Sequence, residues 1–281
     1  MLSPGVDGFF LDWREMVHSD ELDLISIVTP NSTHTSFAIA LLELGMNVLV
    51  EKPLGVSLSE VRLLSAAAEK STGSLFSGYL LHHHSGVQYA KNLIKAEKIG
   101  RVKSIRYTKY SSRNKPVGAD VIQNLASHAF SIIPEILETK QIPLFTASAL
   151  IKDNKPAPLE SANQAKFNMV FSMFNSPQPV DVEVQVGWEQ ENISKLTIEG
   201  SRQNLRIYFQ THDSIELGAP WPGYAWVQTP HSNPPLEQQY RSMLDIQTPS
   251  KDKISTYLQT ATLLDKATTL AQQWHQNNAE N

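Results

Sequence analysis

Two short groups of polar residues each follow an apolar run, and they are the first candidates for chemistry in this chain. Thr29-Pro30-Asn31 follows Leu24–Val28, and Glu51-Lys52-Pro53 follows Val48–Val50. A lysine and a carboxylate that leave a buried strand side by side are costly to desolvate unless something pairs with them or uses them. A partly desolvated lysine has a lowered pKa, so it can exchange a proton with a substrate oxygen. The alternative is a surface lysine paired with Glu51.

A strand, a helix and a second strand position these groups. Between the two apolar runs, residues at helical spacing lead up to Gly45, namely Phe37, Ala38, Leu41 and Leu42. Two buried strands joined by one helix predict a right-handed parallel βαβ unit that is covered on both faces. Ligands of such sheets bind beyond the carboxyl ends of the strands, which is where both polar groups lie.

A helix predicted over residues 119–138 carries the second candidate for chemistry. Asn124 and His128 lie at i and i+4 on one face of it. Histidine can act as a general acid and base near neutral pH, although a lone histidine on an apolar helix is more often a satisfied core residue. Asn124 can orient a neighbour by a hydrogen bond, but it cannot hold a counter-charge.

The rest of the chain predicts further alternation of helices and strands, followed by a large sheet. A capping box at residues 57–60 begins a helix, a third strand covers residues 75–81, and a helix covers residues 85–97. Past residue 102 the composition predicts strands over 103–110, 144–152, 166–174, 180–188, 193–199 and 204–209, with a closing amphipathic helix over 254–274. Residues 180–188 alternate without a break, so we expect one buried and one polar face on a mostly antiparallel sheet.

The segments TPNSTH (residues 29–34) and GMNVLVEKP (residues 45–53) resemble the glucose–fructose oxidoreductase, inositol dehydrogenase and MocA (Gfo/Idh/MocA) family. The resemblance implies an α/β plus α+β fold, with a partial dinucleotide-binding Rossmann domain over residues 1–101 and a substrate-binding and oligomerisation domain over residues 102–281. It also implies NAD or NADP as cofactor and hydride transfer to or from a secondary alcohol or ketone of a sugar or cyclitol. In this family the lysine matching Lys52 contacts the nicotinamide ribose and the substrate hydroxyl, and the histidine matching His128 is an acid/base.

The resemblance implies further contacts. It places a set of residues near the nicotinamide end of the cofactor, namely Thr29, Pro30, Asn31, His34, Glu51, Lys52 and Pro53. Helix capping is the alternative role for Asn31. The family pattern D-x-x-x-H reads NLASH here, so Asn124 replaces an aspartate and weakens any proton relay that needs a carboxylate.

The histidine triplet at residues 82–84 follows the predicted third strand. An arginine often stands near this place in the family, which makes His82 and His83 candidates for contact with substrate. Adjacent histidines in a strand point to opposite faces and chelate poorly, so we predict no metal site.

The family's glycine-rich phosphate loop, G-x-G-x-x-G, has no match in this chain, since Gly5 and Gly8 do not fit it. Either the reading frame begins downstream of the true start, or half of the nucleotide domain has been lost. The alternative function is therefore a non-catalytic relative that keeps the fold for binding or assembly. We expect weak dinucleotide binding by the chain as given. We also expect Leu24–Val28 to form an exposed sheet edge unless residues 1–20 or a partner cover it.

Composition limits the classes of partner. The net charge is −4, from 28 acidic and 24 basic residues, and no basic stretch stands out, which argues against nucleic acid. No apolar run approaches the length of a membrane span. The chain has no cysteine, which fits the cytoplasm. Family members commonly pair through their large sheet, so the resemblance implies a homodimer or homotetramer that acts on a small-molecule substrate.

Overall fold

The computed structural model describes residues 8–19, 22–173, 176–210, 214–219, 223–228, 233–244 and 253–278. They form a three-stranded parallel sheet and a nine-stranded, mostly antiparallel sheet, each packed with helices. The predicted α/β plus α+β fold is confirmed.

The small sheet contains the βαβ unit and a third strand. Its elements are α1 (Trp13–Ser19), β1 (Ile25–Ile27), α2 (Asn31–Glu43), β2 (Val48–Val50), α3 (Leu58–Lys70) and β3 (Leu75–Ser77). The strand order is β1-β2-β3, and both pairs are parallel. Among the described residues, β1 pairs only with β2, and α1 packs beside α2 through Trp13 and Phe37 rather than adding a strand.

The third strand is shorter than predicted, which corrects the placement of the histidine triplet. β3 ends at Ser77, and Leu80–His83 form a 3₁₀ helix that leads into α4 (Ser85–Lys95). His82 and His83 therefore do not lie in a strand, and the expectation that they point to opposite faces was wrong. His84 accepts the Gly86 N–H through Nδ1 at 3.1 Å and so caps α4.

The large sheet and its helices follow in chain order. They are β4 (Val102–Ser111), a π-helical segment (Ile122–Ala126), α5 (Ser127–Ile136), β5 (Leu144–Lys152), β6 (Lys155–Pro156), β7 (Gln164–Met173), β8 (Ser176–Trp188), β9 (Ile193–Gly200), β10 (Asn204–Tyr208), β11 (Ser214–Ala219), β12 (Gly223–Gln228), α6 (Pro235–Leu244) and α7 (Ile254–Asn278). The strand order is β12-β11-β10-β9-β4-β8-β7-β5-β6, and only the β4–β8 pair is parallel.

One face of the large sheet is buried under helices, as the alternation in β8 predicts. The side chains on that face are each at most 5% exposed, namely Val180, Val182, Val184, Val186 and Trp188. They belong to a large buried cluster that also contains residues of α5 and α7. A second cluster lies around β1–β3, and the start of α7 contributes Ile254, Tyr257 and Ala261 to it. Helix α7 contributes residues to both clusters, so the clusters do not divide the chain at residue 101. The domain boundary there remains a prediction.

Candidate functional site

Lys52 follows β2 and reaches the second part of the chain. Its Nζ donates to the backbone carbonyl of Asn124 at 3.1 Å. Burial lowers the pKa of Lys52, the charge of Glu51 opposes this, and the charge of Lys109 adds to it. Glu51 accepts the backbone N–H of Lys52 at 2.9 Å through Oε2, and the salt bridges of the described residues do not include a Lys52–Glu51 pair. The alternative of a lysine paired with Glu51 is therefore wrong.

The carbonyl that Lys52 contacts belongs to a π-helical segment. Asp120 begins it by accepting the N–H groups of Ile122 and Gln123, at 2.7 and 3.3 Å. The Ser127 N–H then donates to the carbonyl of Ile122, five residues back. Such widened turns occur frequently at functional sites. The Asn124 side chain donates to the Asp120 carbonyl at 3.0 Å, so its amide is bound to its own helix. Asn124 contributes to the site through its backbone.

His128 follows in the first turn of α5 and is not a satisfied core histidine. Its Nδ1 is buried and has no hydrogen-bond partner among the described residues. Burial, with the charges of Lys52 and Lys109, lowers the pKa of His128 to about 3. The ring is therefore neutral at physiological pH. A buried nitrogen without a partner is costly, and a bound ligand would relieve that cost.

His34 joins the carboxyl ends of β1 and β2. It is 1% exposed, and its Nδ1 and Nε2 lie 2.7 and 2.8 Å from the carbonyl oxygens of Pro53 and Thr29. Helix α2 begins at Asn31 with Pro30 in the capping position, and no side-chain hydrogen bond caps it. The expectation that Asn31 caps this helix was wrong. The first amide groups of α2 are thus left without a side-chain acceptor at the ligand-binding end of the sheet.

Lys109 is a site residue that the sequence reasoning missed. It lies in β4, and its Nζ donates to Ser194 Oγ at 3.3 Å. Burial lowers its pKa, and its charge reaches both Lys52 and His128. The signal was present in the sequence, because two-residue spacing places Lys109 on the same strand face as Ile105 and Tyr107. A lysine on an apolar face of a strand is unusual and identifies a candidate.

His82 and His83 lie in a different place. They line a cavity of about 390 Å³ beside β3 whose lining does not include Lys52, Asn124 or His128. His82 pairs through Nδ1 with Glu135, which also binds Lys91 at 2.7 Å. The structure therefore separates these histidines from the Lys52–His128 group, and their contact with substrate remains a prediction.

Two kinds of feature are absent from the described part of the chain. No group of three or more histidine, cysteine, aspartate or glutamate side chains there could hold a metal ion. None of its helices combines the length and the apolar character that crossing a membrane requires.

The fold and the site resemble those of known proteins. A parallel βαβ unit carries a desolvated lysine at a strand end, and the neutral His128 of α5 lies within reach of its charge. Ligands of such parallel sheets bind beyond the carboxyl ends of the strands, which is where Lys52 lies. Residues 2–79 match the model of the GFO_IDH_MocA proteins, described as an oxidoreductase family with an NAD-binding Rossmann fold. Over these residues the resemblance seen in the sequence is confirmed.

Known proteins extend the similarity beyond residue 79. Levoglucosan dehydrogenase of Pseudarthrobacter phenanthrenivorans is 24% identical over 195 residues, which are 65% of this chain and 49% of that protein. A structure of levoglucosan dehydrogenase with NADH and levoglucosan has a TM-score of 0.76 at 17% identity, over 95% of this chain and 82% of the other. The 3-ketoreductase KijD10 from Actinomadura kijaniata, with TDP-benzene and NADP, has a TM-score of 0.75 at 17% identity, over 92% and 81%. The matches to the first curated relatives span only 24%, 33% and 49% of their lengths.

Proposed function

We propose that the protein is an NAD(P)-dependent dehydrogenase or reductase that acts on a secondary alcohol or ketone of a sugar or cyclitol. The observation that carries the proposal is the pairing of a desolvated Lys52 with a neutral His128 whose Nδ1 is buried and unpartnered. The match of residues 2–79 to the oxidoreductase family model and the similarity to levoglucosan dehydrogenase support the same reaction. A relative that only binds a ligand would also use this nitrogen, so substrate turnover distinguishes the enzyme from the non-catalytic alternative.

The residues at the ends of β1 and β2 fit the nicotinamide end of a dinucleotide. The uncapped start of α2 offers amide groups, and the His34 contacts hold the two strand ends together. We propose that the cofactor is NAD or NADP and that its contacts come from Thr29, Pro30, Asn31, His34, Glu51, Lys52 and Pro53. When bound, the nicotinamide accepts or supplies the hydride.

The shifted pKa values of Lys52 and His128 indicate different roles for the two residues in proton transfer. In the oxidation direction the substrate C–H bond breaks, its electron pair leaves with the hydride, and the hydroxyl proton must go to the protein. Lys52 is the acid/base, because burial lowers its pKa and so makes the neutral form easier to reach. His128, with a pKa of about 3, is a poor base and instead accepts a hydrogen bond that orients the hydroxyl.

The test is removal of the Lys52 ammonium in the full-length protein. We expect Lys52→Met to lower kcat by about 100-fold or more, the scale of general acid–base catalysis. Turnover is followed as NADH or NADPH absorbance against a panel of sugars and cyclitols. Lys70→Met, at the exposed end of α3, is the matched control and should keep wild-type turnover. Near wild-type kcat in Lys52→Met would contradict the assignment.

We also propose that the protein is a homodimer or homotetramer that pairs through the uncovered face of the large sheet. That face is polar and ordered by ion pairs, with Glu183 bound to Arg106 at 2.7 Å and to Lys166 at 2.9 Å. Wet, modestly polar surfaces are common in interfaces. Light scattering of the full-length protein at micromolar concentration should give at least twice the monomer mass. A monomer mass would refute this proposal.

A cytoplasmic location is also part of our proposal, since the chain has no cysteine.

A further inference from the structure

Lys109 holds a positive charge on the covered face of the large sheet. It follows Ile105 and Tyr107 at two-residue spacing in β4, and both of these side chains are at most 1% exposed. Its Nζ contacts the buried Ser194 at 3.3 Å. Among the described residues, no salt bridge joins Lys109 to a carboxylate. Within the described part of the chain, this ammonium group is therefore partly desolvated without an opposite charge in contact, which is costly unless a ligand supplies one.

The charge of Lys109 acts on the same two side chains that carry the proposed chemistry. It disfavours the protonated forms of Lys52 and His128, so the three groups share one electrostatic environment. The buried Nδ1 of His128 adds a hydrogen-bonding atom without a partner. Glu51 is the carboxylate whose charge reaches Lys52, and it is engaged with a backbone N–H.

The count of charges indicates what would bind. When Lys52 is protonated, as it is before it gives a proton to a ketone, the two ammonium groups and the Glu51 carboxylate of the described residues leave one positive charge uncompensated. A carboxylate on the substrate carries one negative charge at neutral pH and would cancel it. A phosphate monoester carries nearly two charges at that pH and would leave the site negative.

We propose that Lys109 is a substrate-binding residue that holds the carboxylate of an acidic sugar while Lys52 and His128 handle the reacting hydroxyl. The proposal rests on the dehydrogenase function and names its substrate class. An ammonium group has three donors, and the contact with Ser194 uses one. Two donors are left for the oxygens of a carboxylate, and the Ser194 contact restrains an otherwise flexible side chain.

The test compares each sugar acid with its uncharged carboxamide and adds a phosphorylated sugar as a second kind of anion. The probes are D-glucuronate with D-glucuronamide, D-galacturonate with D-galacturonamide, and D-glucose 6-phosphate, each with NAD⁺ and NADP⁺ and the full-length protein. We expect wild type to prefer the carboxylate over the carboxamide in kcat/KM. Lys109→Gln should reduce that preference by about 30-fold or more, since one partner of a desolvated charge pair is lost. Lys109→Arg, which keeps the charge, should retain part of it.

Lys103→Gln is the control variant, because Lys103 lies on the same strand but is exposed. It should leave the carboxylate preference unchanged. Turnover of the carboxamides as fast as the carboxylates, or an unchanged preference in Lys109→Gln, would overturn this inference and leave the dehydrogenase function standing. Preference for the phosphate would overturn it in favour of another anion. Absence of turnover with every acidic and neutral sugar would refute the dehydrogenase function and this inference together.

Discussion

Two groups of partly buried basic side chains differ in whether they contact a carboxylate. Beside β3, His82 and Lys91 both contact Glu135. Burial alone would raise the pKa of Glu135, but the hydrogen bonds and charges of His82 and Lys91 lower it to about 2. In the other group, Lys52 after β2 and Lys109 in β4 have no carboxylate contact among the described salt bridges.

The difference separates a structural contact from a binding site. The paired group joins the 3₁₀ helix after β3, helix α4 and helix α5, so it links the parallel-sheet part of the chain to the helices of the large sheet. Its charges are satisfied within the protein. In the unpaired group, the pKa values of both lysines are lowered, and the buried Nδ1 of His128 has no hydrogen-bond partner among the described residues. These features lower the stability of the protein without ligand, and a bound ligand would offset that cost.

The largest effect on stability should come from breaking the paired group. Glu135→Gln leaves the Lys91 ammonium partly buried without a counter-charge and weakens the contact with His82, so we expect a loss of about 2 kcal/mol in the free energy of unfolding. Urea unfolding at pH 7 measures it. The matched control is Glu138→Gln, which removes an exposed carboxylate near the end of the same helix and should change stability by less than about 0.5 kcal/mol.

Lys52→Met sharpens the same comparison. It removes a desolvated charge that has no carboxylate contact, so it should not lower the free energy of unfolding while it lowers kcat. If Glu135→Gln cost no more stability than Lys52→Met, the distinction between the two groups would fail.

A smaller effect should appear in the pH dependence of stability, because His128 and Glu135 titrate in different pH ranges. The folded pKa of His128 is lowered from 6.5 to about 3, so the unfolded chain binds a proton that the folded chain does not, and stability falls as pH decreases from about 6.5. Glu135 has a folded pKa lowered from 4.5 to about 2, so its contribution is present above 4.5 and is lost below it.

His128→Gln, which cannot titrate, should therefore flatten the decline in stability between about pH 6.5 and 4.5 and leave the decline below pH 4.5 in place. Thermal unfolding midpoints across this pH range measure both. His18→Gln is the control, since that histidine is exposed in α1. An unchanged slope above pH 4.5 in His128→Gln would show that His128 is not held neutral by its surroundings.

Most of the fold could be predicted from local patterns. The apolar runs around Phe37–Leu42 gave the βαβ unit, and the alternation of residues 180–188 gave a sheet with one buried face. The third strand was predicted too long, because its apolar residues continue to Leu81. The backbone leaves the strand near Gly78, where a Cβ atom would lie 2.9 Å from the Glu51 Cα. Strands β11 and β12 were not predicted.

The sequence by itself determined which residue types stand at the strand ends, and Lys52 and His128 followed from their positions and from the family resemblance. Only the tertiary structure decided which charges are neutralised. The charge of Lys109 in β4 reaches Lys52 and His128, which belong to other parts of the chain, and His82 is paired because α5 brings Glu135 to it. Burial and charge partners depend on segments that are distant in the chain, so no local pattern contains them.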